Sequence, residues 1–159
     1  MVALITGGSS GMGLEFARGL AARGYDLLLV SNSEDQLESA FAALSTEFPV
    51  KVRTLFRDLA QPKAADELFS HCISEGMLPD VLVNDAGMFF FKELDAGDLD
   101  RVQAMLDLHV NTVTRMCLLF GSAMKERGSG FILNGKDRLL HRYAEARSFR
   151  GLQIPCSLS

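Results

Sequence analysis

Four short stretches of this chain carry residue types that do chemistry. The first is Thr6-Gly7-Gly8-Ser9-Ser10-Gly11-Met12-Gly13, directly after the apolar residues Val2 to Ile5. The second is Phe56-Arg57-Asp58-Leu59, the third Asn84-Asp85-Ala86-Gly87, and the fourth Asn111 alone. In the first, an apolar strand runs into a glycine-rich turn and the turn into a helix from about Gly13. Such a junction holds an anionic phosphate bridge, because free backbone N–H groups and the positive end of the helix dipole converge there. Glycine suits the turn because the chain must bend sharply and let a ligand approach its backbone with no Cβ in the way. The spacing is TGxxxGxG rather than GxGxxG, and a glycine turn alone is weak evidence. Its meaning depends on where the other three stretches lie.

The elements that must position these residues are legible from periodicity. Stretches that read as strands alternate with stretches of helical period, the pattern of a parallel sheet with helices on both faces. Leu14, Ala17, Leu20 and Ala21 recur at helical spacing, and Gly24 stands where a left-handed helix stop belongs. Leu27 to Val30 is continuously apolar, as a strand buried on both faces should be. Ser33 to Gln36 fits a capping box, opening a helix with the apolar stripe Leu37, Ala40, Phe41, Leu44 and Phe48. Val50 to Phe56 reads as a third strand, and Pro62 fits the first turn of a third helix with the stripe Ala65, Leu68, Phe69, Cys72 and Ile73. Val81 to Val83 is a fourth strand. A helical region, broken once, runs from about Asp98 to Arg127 and ends at Gly128 and Gly130, before a fifth strand at Phe131 to Leu133. Three of the four chemical stretches thus fall at the carboxyl ends of strands, where doubly wound sheets bind ligands.

Composition narrows the classes. The chain has 159 residues, enough for one domain with a genuine core, and its formal charge of −4 argues against nucleic acid as a partner. No apolar run approaches the ~20 residues of a membrane span, and no leader precedes the first strand, so no membrane association and a cytoplasmic location are expected. Cys72, Cys117 and Cys156 are widely spaced and form no CxxC pair, and His71, His109 and His141 are scattered. No metal site or disulfide framework is expected, and the three histidines read as structural or surface residues.

The order TGxxxGxG, then Asp58-Leu59, then an Asn-Asn-Ala-Gly-like element at Asn84–Gly87, then Asn111 in a long helix, resembles the short-chain dehydrogenase/reductase family over about residues 1–134. The resemblance implies an α/β fold: a doubly wound, Rossmann-type parallel sheet in the order 3-2-1-4-5 within three αβα layers, the C-terminal part of the family fold missing. It implies a nicotinamide cofactor and hydride transfer to or from a small carbonyl or alcohol substrate. Thr6, Gly7, Ser9, Ser10, Gly11, Met12 and Gly13 would make the pyrophosphate turn. Asp58, followed by Leu59, would meet the adenine amino group, and Asn84, Ala86 and Gly87 would line the cofactor. Asn111 would hold a water in a proton relay. Two of these residues also have plainer readings, Asp58 as a loop cap and Asn111 as a helix-interior residue bonding its own backbone. Asp85 replaces the family's second Asn; it can accept the same backbone hydrogen bonds but cannot donate one.

Cofactor choice is read at the end of strand two, where a carboxylate bonds a ribose 2′-hydroxyl and repels a 2′-phosphate. Ser31 and Asn32 stand there instead, and Arg57 is a candidate neighbouring cation. NADP is therefore the expected cofactor, with NAD the alternative. Beyond Asn134 the resemblance stops. Lys136 and Asp137 occupy the positions of the family's catalytic Ser, and Tyr143-Ala144-Glu145-Ala146-Arg147 is the one partial match to Tyr-x-x-x-Lys, which leaves Tyr143 as the candidate acid/base. Residues 135–159 are basic in an otherwise acidic chain and read as a divergent segment after the domain of 1–134, as if the sequence departs from its ancestor there. Two functions stay open: an NAD(P)(H)-dependent oxidoreductase, or a catalytically defective dinucleotide-binding remnant of one. The uncovered fifth strand leads us to expect a homo-oligomer.

Overall fold

The computed structural model describes residues 1–90, 93 and 95–135. Five parallel strands, β1 (Val2–Thr6), β2 (Asp26–Ser31), β3 (Val52–Phe56), β4 (Val81–Asn84) and β5 (Phe131–Asn134), form one sheet in the order β3-β2-β1-β4-β5. The intervening helices are α1 (Gly11–Ala21), α2 (Glu34–Glu47), α3 (Ala64–Ser74), α4 (Leu99–Leu106) and α5 (Val113–Arg127). A 3-10 turn at Ala96–Asp98 leads into α4, and a π-helical segment, Asp107–Thr112, joins α4 to α5. The expected doubly wound sheet is therefore present, and its order is the expected one.

The sheet owes its depth to side-chain alternation. Ala3, Ile5, Leu27 and Leu29 point to the face covered by α1 and α2, meeting Ala17, Ala21, Leu37, Ala40 and Leu44. Leu4, Leu28, Val30 and Leu82 point to the other face, meeting Leu68 and Cys72 of α3 and Met116, Phe120 and Met124 of α5. Both faces are covered, so the central strands carry no polar alternation. Phe120 is fully buried and meets Phe69 edge to face at 5.0 Å between ring centres. Burial of the Cys72 thiol in this layer pushes its pKa up to about 11, leaving it a small apolar group.

Local expectations fail in three places, each for a physical reason. Ser33 caps no amide of α2 with its side chain, and Gln36 reaches across to Ser9 instead of closing a capping box. Pro62 lies before α3, not in its first turn, because Gln61 to Ala64 closes a tight turn with Lys63 in the left-handed region at φ 66°. Phe41 and Ile73, read as stripe residues, are 44% and 50% exposed. The buried stripes are narrower, Leu37-Ala40-Leu44 and Ala65-Leu68-Cys72, and the outer residues lie at their edges. The expected break in the long helix is present, and it is the π-helical segment Asp107–Thr112.

This difference in burial is measurable. Phe120→Ala should cost about 3–5 kcal/mol by urea unfolding, the range for deleting a buried aromatic ring, and Ile73→Ala under about 1 kcal/mol. Equal losses at the two positions would contradict the packing described.

Candidate functional site

The carboxyl edge of the sheet gathers the turn after β1 and the loops after β2, β3 and β4. One hydroxyl ties the first of these to the last. Thr6 Oγ1 accepts from the Asp85 and Ala86 amides at 3.0 and 3.1 Å and donates to the Val83 carbonyl at 3.4 Å. The turn is also anchored to β2, since the Gly7 amide donates to the Val30 carbonyl at 2.8 Å.

The three motif glycines divide by role. Gly7, at φ 67°, backs onto the β4 loop so closely that a Cβ would lie 2.9 Å from the Ala86 nitrogen. A Cβ on Gly13 would run into the Gly7 carbonyl. Gly11, at φ 54°, instead faces open space, with nothing within 4 Å of where a Cβ would stand. Ser10, the residue capping α1, makes no side-chain hydrogen bond to it, and the first turn of α1 carries no acidic residue. The helix start is exposed beside an unobstructed glycine bend, with Ser10 and Met12 at the surface, a geometry that suits an anion.

After β2, the buried Ser9 hydroxyl donates toward Ser31 Oγ at 2.8 Å and Gln36 Oε1 at 3.3 Å, and the Ser33 amide donates to Ser31 Oγ at 3.3 Å. Asn32 is exposed beside them. Arg57, the expected neighbouring cation, is ion-paired to Glu67 of α3. After β3, Asp58 accepts from the Ala60 amide at 3.0 Å and from Gln61 Nε2 at 2.7 Å, the loop-capping geometry. Leu59 is buried, and its carbonyl accepts from Thr112 Oγ1 at 2.7 Å, which fastens the π-helical segment to this loop.

After β4, the buried Asn84 side chain turns sideways along the sheet, donating to Asn134 Oδ1 at 2.9 Å and toward Cys117 Sγ at 3.6 Å. Gly87 packs against His109, whose Nε2 accepts the Met88 amide at 2.9 Å. That bond requires the lone pair on Nε2, so the proton of the neutral ring sits on Nδ1. Asn111 is exposed in the same π-helical segment, and its Nδ2 donates to Asp107 Oδ1 at 2.6 Å rather than to its own backbone. Tyr143, Lys136 and Asp137 lie outside the described residues.

The family model described as short chain dehydrogenase matches residues 1–135. The chain belongs to the short-chain dehydrogenase family. It is 34% identical over 136 residues to the very-long-chain 3-oxoacyl-CoA reductase of Macaca fascicularis, covering 83% of this chain and 43% of that protein. Among solved structures, it superposes on the L-sorbose reductase of Gluconobacter frateurii complexed with NADPH and L-sorbose with a TM-score of 0.75 at 32% identity. A short-chain dehydrogenase from Sphingobium yanoikuyae in complex with NADPH gives 0.73 at 29%. Each superposition covers 84% of this chain but only 51% and 52% of those chains, so the chain spans about half the length of the solved relatives and less of the curated one.

Within this short-chain dehydrogenase scaffold, three contributors lay beyond sequence reasoning. Gln36 was hidden inside an apparent capping box, and His109 contacts a backbone amide 21 residues away. Asp85 accepts a backbone hydrogen bond as expected, from the Gly13 amide, but its close packing against Gly135 at the end of β5 was not foreseen. Its Oδ1 is buried without a hydrogen-bond partner among the described residues. Burial pushes its pKa up to about 6, and the Gly13 amide only partly offsets that.

A folded-state pKa above the unfolded value of ~3.9 means that the neutral carboxyl is the form tolerated by the fold. Its contribution is fully present below pH ~4 and is lost as pH rises through about 6. Asp85→Asn keeps an acceptor for Gly13 and removes the charge. The variant should match wild type near pH 4 and exceed it by on the order of 1–2 kcal/mol at pH 7–8 in denaturant unfolding. An unchanged difference across that range would refute a strained carboxylate.

Proposed function

We propose that the chain is the nucleotide-binding part of an NADP(H)-dependent short-chain oxidoreductase acting on a small carbonyl or alcohol. The observation that carries this reading is the open bend at Gly11, against the start of α1, where Ser10 makes no side-chain cap and Asp85 takes the Gly13 amide, and beside a β2 end that holds Ser31 and Asn32 in place of a carboxylate. A phosphate pair fits that cradle, and the carboxylate that would repel a third phosphate is replaced by hydroxyl and amide groups. The two solved relatives described above were captured with NADPH, which supports the choice over NAD.

In this reading Gly7, Gly11 and Gly13, with Thr6, Ser9, Ser10 and Met12, hold the pyrophosphate. Ser31 and Asn32 face the 2′-phosphate. Asp58 keeps a free lone pair for the adenine amino group while capping its loop, and Leu59 stands beside it. Ala86, Gly87 and the Asn84 backbone line the remaining length. The bound nicotinamide supplies or accepts the hydride. Asn111 holds a water in the proton path, oriented through Asp107, and Tyr143 gives or takes the proton at the substrate oxygen. The domain ends near residue 134 and the basic segment 135–159 follows it. The active form is a homo-oligomer in the cytoplasm.

A second reading is a dinucleotide-binding remnant without turnover, favoured by Lys136 and Asp137 standing where the family carries its catalytic Ser. Titration with NADPH, followed by NADPH consumption against a panel of ketones and aldehydes, separates the two. The enzyme should bind and consume, with consumption reduced at least ~100-fold in Tyr143→Phe, the scale of losing a general acid. Binding without consumption selects the remnant, and no binding overturns both.

A further inference from the structure

The loop after β4 is fastened at two points, and one imidazole makes the second. Thr6 Oγ1 receives the Asp85 and Ala86 amides where the loop begins, and His109 Nε2 receives the Met88 amide at 2.9 Å. Gly87 lies exposed between the two fastenings. His109 also backs this glycine, since a Cβ at position 87 would stand 3.3 Å from Nε2. The Phe89 ring meets the imidazole edge to face at 5.7 Å between ring centres, so His109 faces three successive residues of the loop.

The bond to the Met88 amide fixes more than Met88. The peptide joining Gly87 to Met88 is planar and trans, as are all the peptide bonds among the described residues. Its N–H and C=O therefore point in opposite directions. With the N–H on His109, the Gly87 carbonyl is aimed away from the π-helical segment. That segment is itself held in place, because Thr112 Oγ1 donates to the Leu59 carbonyl at 2.7 Å.

The order of the strands decides which part of a dinucleotide would meet this carbonyl. β2 and β3 lie on one side of β1, and β4 and β5 on the other. With the 2′-phosphate at the β2 end, the adenine at the β3 end and the pyrophosphate on the β1 turn, the nicotinamide half extends past the β4 end. Its ribose hydroxyls and carboxamide N–H groups are donors, which a fixed carbonyl can accept.

We infer that His109 is a positioning residue for the nicotinamide half of the cofactor, setting the Gly87–Met88 peptide so that the Gly87 carbonyl faces the nicotinamide riboside. The inference rests on the NADP reading above and goes further by giving a role to a histidine that no motif marks. Two properties of the side chain can be separated. His109→Gln keeps an acceptor at about the reach of Nε2 but loses the ring. His109→Phe keeps a ring against Gly87 and Phe89 but offers the Met88 amide no acceptor.

The test compares dissociation constants for NADPH and for 2′-phospho-ADP-ribose, the same molecule without its nicotinamide, by calorimetric titration of wild type and both variants. The wild type should bind NADPH the more tightly. That advantage should fall about tenfold in His109→Phe and stay within about threefold of wild type in His109→Gln. His109→Ala stands in if His109→Phe does not fold, with the same expected loss. A residue that merely supports the fold would weaken both ligands alike, so a parallel loss in His109→Phe overturns the role of His109. An advantage as low in His109→Gln as in His109→Phe overturns it too. Wild type binding neither ligand overturns the NADP reading itself. Wild type binding both, with an advantage that is absent or indifferent to position 109, overturns this inference alone.

Discussion

The Thr6 hydroxyl is the joint on which the carboxyl edge of the sheet depends. In a parallel sheet the ladder ends where strands diverge, and the last amides lose their partners. Here the Asp85 and Ala86 amides leave the ladder at the end of β4 and are both received by one oxygen at the end of β1. Because that oxygen is buried, a missing partner would strand two amides at once, at about 1–3 kcal/mol each. The bond therefore sets how far β4 runs before it turns, and so where Gly87 and Met88 stand relative to the glycine turn. Thr serves better than Ser here because its methyl branch limits the rotamers that the hydroxyl can take.

From that joint the rest of the edge follows as a chain of fastenings. His109 takes the Met88 amide, Thr112 takes the Leu59 carbonyl through its own proton, and both lie on the π-helical segment. The loops after β3 and β4 are thus held by one widened turn of helix, and Asn111 sits between the two holding residues. π-Helical turns cost hydrogen-bond geometry and recur at functional sites, where they aim a side chain that a regular helix would send elsewhere. In this chain the widening lets residues 109, 111 and 112 serve a loop, an aspartate and a second loop from less than two turns.

What was legible in the sequence is what depends on burial and on the alternation of elements. Leu27 to Val30 declared a strand covered on both sides, and the strand–helix alternation declared a parallel sheet with right-handed crossovers, while the order of its strands came from the resemblance to the short-chain dehydrogenase family. Gln36 was misread because a capping box and a long-range bond to Ser9 use the same atoms, and sequence spacing sees only the local partner. Pro62 was misplaced because the left-handed turn at Lys63, which delays the helix, belongs to a residue type that rarely adopts it. His109 was invisible for a different reason. Its partner is a main-chain amide, which every residue carries, so no residue type at position 88 could have advertised it.

The division of labour among the glycines bears on how this turn would age under genetic drift. Gly7 and Gly13 are held by packing against Ala86 and against each other, so a purely structural protein would retain them as strictly as an enzyme does. Gly11 touches nothing, and its backbone angle is one that Asn and Asp also visit. Released from any ligand, position 11 would be free to drift toward those residues while positions 7 and 13 stayed put. Loss of glycine at position 11 alone would thus mark a turn that kept its fold after it ceased to hold a ligand.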